Sequence, residues 1–137
     1  MKEFFLMLFF SKLIVLTPTS VDLTNQWLEI IPQAPLRAIT SGAGIYIDVS
    51  EVIYRDTNDE KLEKLFPPGS IVVKLIDKKG YEFIMLNGRA YATSENRIEL
   101  VLLSKSPIPT DRKFVKVLIK SKKRIEKVKV IWQNSSL

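Results

Sequence analysis

The chain has 137 residues, a formal charge of +6 and no cysteine or histidine. One domain's worth of chain with 46% hydrophobic and 26% charged residues excludes wholesale disorder. The missing residue types exclude disulfides, thiol nucleophiles, cysteine or histidine metal sites and histidine-based acid–base catalysis.

Residues 4–16 read FFLMLFFSKLIVL. That run is too short for the ~20 residues of a spanning helix. It has the length of a signal-peptide apolar region, with Lys2 ahead of it and Thr17-Pro18-Thr19-Ser20 as the nearest small-residue stretch. Residues 1–20 are therefore expected to be a signal-peptide-like or membrane-anchor segment, followed by a single domain over 21–137. The expected location is export to a periplasmic or extracellular space, or a membrane-anchored state, with membrane association through residues 4–16.

Beyond residue 20 the pattern is that of strands bounded by Gly, Pro, Asn and Asp. Short strands are expected at 26–31, stopped by Pro32, and at 36–40. Gly44 to Val49 alternates, with Ile45, Ile47 and Val49 on one face. Residues 56–66 carry N-capping Asp56, Thr57 and Asn58, then Leu62, Leu65 and Phe66 at helical spacing, so one short helix is expected before Pro67-Pro68-Gly69. Strands at 70–76 and 81–86 flank Asp77-Lys78-Lys79-Gly80, a hairpin with glycine in the left-handed position. Asn87-Gly88 is a strong type I′ turn signal, which predicts a returning strand at 89–93. A strand at 97–103 and a Pro-punctuated connection at 104–111 follow. The last hairpin pairs 112–120 with 125–132 around Ser121-Lys122-Lys123-Arg124.

Seven or eight strands, one helix and two long connections predict an all-β chain: an antiparallel β-sandwich of immunoglobulin-like Greek-key type, with a small β-barrel as the alternative. The likeness is architectural and implies no functional residue. The expected core is Ile45, Ile47, Val49, Ile71, Val73, Leu75, Phe83, Ile98, Leu100, Val115, Val117, Ile119, Val128, Val130 and Trp132.

Residues 105–129 hold ten basic and two acidic side chains, a local +8 that leaves −2 for the rest of the chain. Lys116, Lys120, Lys122, Lys123, Arg124, Lys127 and Lys129 are the candidate binding residues: either an anion-binding face or a solvated edge guarded against aggregation. The arms bring only Phe114 and Trp132 as aromatics, at their ends, so nucleic acid is disfavoured. Other motifs have simpler readings. Asp56, Asn58 and Glu60 fit three calcium-loop positions, but Lys61 and Pro67 occupy the places of the required Gly and Glu. Gly42-Ala43-Gly44 has no helix after it to make a phosphate loop, and Asn134-Ser135-Ser136 matches a glycosylation sequon. Ser104-Lys105-Ser106 and Ser121-Lys122 put dyad residue types side by side, in exposed turns with nothing to depress a lysine pKa.

No catalytic, cofactor or metal residue is assigned. The expected function is non-enzymatic: an exported or membrane-associated module that meets a protein partner through a sheet edge or loops. The alternative is an electrostatic binder of nucleic acid or anionic lipid through the basic hairpin 105–129.

Overall fold

The computed structural model describes residues 12–49, 59–92 and 98–134. Ten strands occupy them: β1 (Lys12–Val15), β2 (Val21–Leu23), β3 (Leu28–Ile30), β4 (Leu36–Arg37), β5 (Gly44–Asp48), β6 (Ile71–Asp77), β7 (Glu82–Ala92), β8 (Ile98–Leu103), β9 (Lys113–Ser121) and β10 (Ile125–Asn134). One helix among the described residues, α1 (Asp59–Leu65), precedes β6. The predicted capping residues 56–58 and the sequon's Ser135 and Ser136 lie outside the described residues, as does most of the apolar run 4–16.

Every pairing is antiparallel, in the order β1–β10–β5–β8–β7–β6–β9–β3, with β2 added to β10 and β4 to β9. The chain is thus nearly all-β, one ten-stranded antiparallel sheet curled into a half-barrel. This order does not confirm the two-sheet, immunoglobulin-like Greek-key sandwich and lies nearer the barrel alternative. The two long connections do join strands that are not neighbours. The segment before β6 carries the chain from β5 across two intervening strands, and residues 104–112 carry it from β8 back to lie beside β6.

The predicted hairpin of the basic region is not a paired one. β9 hydrogen-bonds to β6, β3 and β4, and β10 to β5, β1 and β2. What runs alongside both arms is the N-terminal chain. Residues 12–23 pair with β10, then residues 28–37 pair with β9, antiparallel throughout. At the crossing the Ser121 N–H donates to the Thr24 carbonyl (2.7 Å). At the far end the Asn134 amide donates to the Arg37 carbonyl and accepts from the Ile39 N–H, each at 3.0 Å. Among the described residues the sheet starts at Lys12, within the 1–20 segment. Thr17 is buried and its hydroxyl accepts from the Val130 N–H (2.9 Å).

The inward face follows the period-two pattern of β5, β6, β8 and β10. Of the fifteen expected core residues, all but Val115 are buried. Trp132 is among the largest side chains fully removed from water, each such burial contributing ~1.5–3 kcal/mol. Val115 is displaced by a bulge. Ile76 faces Lys116 while the next residue, Asp77, faces Phe114, so Val115 is the extra residue on β9. The slip turns Phe114 inward, where its ring lies 6.4 Å from that of Phe83. Leu62 and Phe66 of the helix segment, with Leu23, Leu36, Met85, Leu102 and Ile108, complete the core.

Two glycine signals on the meander behave differently. Gly80, at φ 86°, takes the left-handed position of the β6–β7 turn as expected. Asn87-Gly88 makes no turn: β7 runs through it, with a bulge between Asn87 and Ala90 against β8. This overturns the predicted I′ turn and joins the expected 81–86 and 89–93 strands into one, Glu82–Ala92 among the described residues.

Candidate functional site

The seven basic candidates are brought to three places rather than one face. Lys116 and Lys120 stand outward on β9 beside β6, because Val117 and Ile119 take the inward positions. Lys116 Nζ pairs with Glu29 (3.2 Å) on β3. Lys122, Lys123 and Arg124 form the exposed corner between β9 and β10. Arg124 is held there by Asp22 (3.0 Å) and Glu126 (3.2 Å), while Lys122 and Lys123 make no ion pair among the described residues. Lys127 and Lys129 lie on β10, on the other arm. Lys127 adopts φ 58° at a bulge against β2, with its N–H donating to Asp22 (3.1 Å), and Lys129 faces Asp48 across the β10–β5 pair.

The arms point into different walls because they are paired to different strands. Alternation holds from Lys116 to Lys120 and from Lys127 to Val130, but the shared lysine face that a hairpin would make is absent. Two of the seven, Lys122 and Lys123, stand exposed at the corner.

Sequence reasoning missed an aromatic partner. Trp27, in the link between β2 and β3, is carried over β9 by the β3–β9 pairing. Its ring lies 4.5 Å from Lys120 Nζ and 4.8 Å from Lys74 Nζ. Lys74 also pairs with Glu82 (3.4 Å). No local pattern marks Trp27 as a neighbour of residues about fifty and ninety positions away; only the crossing of the N-terminal chain from β10 to β9 creates the cluster.

Asp77 and Arg112 form the best-tied ion pair, closing the β6–β7 turn. Asp77 accepts from the Lys79 and Tyr81 N–H groups (both 2.9 Å) and from Arg112 Nη1 (2.9 Å), whose guanidinium lies 3.8 Å from the Tyr81 ring centre. Burial pushes the Asp77 carboxyl up, but the Tyr81 N–H, the Arg112 guanidinium and the Lys79 N–H together hold it below its ordinary value. Oδ1 is engaged by two N–H groups of the turn and Oδ2 by Arg112, so the role is structural.

Exposed apolar side chains mark two further surfaces. On the edge strand β1, Leu13, Ile14 and Val15 are 45%, 36% and 41% exposed. On the outward face of β7 and β8, Ile84, Leu86 and Leu103 are 50%, 42% and 58% exposed, with Leu86 directly opposite Leu103. A depression of ≈ 490 Å³ lies beside the latter, bounded by Ser41, Gly44, Tyr46, Met85, Leu103 and Lys105. At its rim the Ser104 hydroxyl donates to the Ser106 carbonyl (2.6 Å), not to Lys105. Among the described residues, no group of three or more Asp or Glu is placed to hold a metal ion, and no helix is long and apolar enough to cross a membrane. No protein-family model matches the chain, and no curated protein or solved structure matches it.

Proposed function

We propose that this chain is a non-enzymatic binding or assembly module, exported or membrane-associated, that captures an extended segment of a protein partner along its β1 edge. The observation that carries the reading is β1 itself. Among the described residues it pairs with β10 on one side only, in the register Lys12 to Asn134 through Val15 to Ile131. Its side chains alternate between the two faces, yet Leu13, Ile14 and Val15 are all exposed, so neither face is covered by the core. Edge strands are ordinarily blunted by charge, proline or a bulge. An added strand would gain main-chain hydrogen bonds on the free edge and apolar cover for the three side chains.

The test is capture from the native source with the full chain, comparing wild type with Leu13→Lys/Val15→Lys. A partner that wild type retains in high salt and the variant loses supports edge addition. A partner held equally by both defeats it. The electrostatic alternative has its own support in the unpaired Lys122 and Lys123 at the corner. Release in high salt, with loss in a Lys122→Ser/Lys123→Ser variant, would replace the edge reading with that one.

A further inference from the structure

The geometry points to a second surface: the outward face of β9, β6, β7 and β8 is a docking face for an anionic lipid bilayer. It uses none of the residues on which the edge reading rests. Its aliphatic side chains lie around Lys74 in the register. Ile84 faces Lys74, Leu86 faces Val72 on one side and Leu103 on the other, and Leu118 faces Lys74 from β9. Ile84, Leu86 and Leu103 are the most exposed of these, on a face that no other described element covers.

The rim is basic. Lys116 and Lys120 border the patch along β9, Lys105 borders it beyond Leu103, and Lys74 rises within it between Ile84 and Leu118. Glu82 and Glu29 neutralise Lys74 and Lys116, whereas Lys105 and Lys120 form no salt bridge among the described residues. Trp27 stands where the aliphatic centre meets this rim. Aliphatic side chains to insert, an indole at their margin and lysines whose long stems reach outward match the layered chemistry of a membrane interface.

Two features favour a bilayer over nucleic acid. Bases need an open ring face, but Trp27 already carries Lys74 and Lys120, and Tyr81, at the end of the same sheet face, carries Arg112. Ile84, Leu86 and Leu103 would gain nothing from phosphate or sugar, and all three gain from leaving water for acyl chains.

Flotation of the full chain with phosphatidylcholine vesicles, with and without phosphatidylglycerol, tests this. Wild type should bind the anionic vesicles at least about tenfold more tightly than the neutral ones. Ile84→Asp/Leu103→Asp and Lys74→Glu/Lys120→Glu should each weaken anionic binding about tenfold or more. Ile84 and Leu103 are exposed and Lys74 and Lys120 partly so, and thermal unfolding verifies the fold; Ile84→Ser/Leu103→Ser replaces the aspartate pair if that one unfolds. All variants keep residues 1–20, so vesicle binding that survives both changes belongs elsewhere, as in the apolar run 4–16, and overturns the inference. It is equally overturned if wild type ignores anionic vesicles, or if it prefers a single-stranded oligonucleotide and loses that binding only with the lysine pair. Failure here leaves the β1 edge reading standing, since Leu13 to Val15 are unchanged.

Discussion

Strand β7 starts just after one glycine-bearing tetrapeptide and runs straight through another turn sequence. At its start, Asp77-Lys78-Lys79-Gly80 reverses the chain, with Asp77 collecting the N–H groups of Lys79 and Tyr81. At its middle, Asn87-Gly88 stays extended, because both residues are employed elsewhere. Asn87 is buried; its side chain accepts from the Ile71 N–H (2.8 Å) and donates to the Pro67 carbonyl (3.2 Å), and its own carbonyl accepts from Gly69 (2.8 Å). It ties the exit of the helix to the sheet. Gly88 serves proximity rather than a left-handed backbone: a Cβ there would stand 2.6 Å from Leu103 Cδ1. The same local chemistry thus ends a strand where its partners are within four residues and continues one where its partners are sixteen or twenty residues away.

Breaking the distant ties should cost most. Asn87→Ala strands the Ile71 N–H, while the Pro67 carbonyl keeps the Ser70 N–H (3.0 Å), and we expect ~1–3 kcal/mol lost in urea unfolding. A loss below ~1 kcal/mol would show that the tie is not what holds the strand straight. Gly80→Ala places a Cβ in the left-handed region and should cost about 1 kcal/mol by the same measurement, with native circular dichroism retained. Gly88→Ala meets only the end of an exposed, flexible leucine and should cost less, about 0.5 kcal/mol; combining it with Leu103→Ala should remove that cost, and a persistent cost would mean that backbone conformation is the constraint.

The smallest effect at neutral pH concerns the local turn. The Asp77 carboxyl titrates below its ordinary 3.8 in the folded chain, so the folded state binds its proton less readily than the unfolded state does. Its contribution is fully present above the unfolded value and is lost as pH falls through the folded one. Wild type should therefore lose more stability than Asp77→Asn on acidification below about pH 4. Parallel urea midpoints across that range would remove the carboxylate from the account of the turn.

Much of the fold was legible because period-two alternation is a local property. Ile45, Ile47 and Val49, or Ile71, Val73 and Leu75, declare their face without reference to a partner, and all are buried. The helix is legible in Leu62, Leu65 and Phe66, of which Leu62 and Phe66 pack into the core while Leu65 is exposed. Val115 shows the limit: one unpaired residue reverses the face of what precedes it, and the sequence RKFVKVLIK contains no sign of where the bulge falls. The candidate lysines were found as residues but not as a site, since a site depends on which walls their strands join.

By itself the sequence determined the class of structure, the left-handed glycine of the β6–β7 turn, the position of the helix and fourteen of the fifteen residues it placed inward. These rest on side-chain period, capping chemistry and φ preference, which act over a few residues. Only the tertiary structure decided that β9 and β10 part company, that residues 12–37 run along both, that Asn87 ties rather than turns, and that Trp27 rests between Lys74 and Lys120. Each of these is a choice of hydrogen-bond partner among strands of similar composition. That choice is made by the closure of the whole sheet, where every edge group must find a partner or meet water.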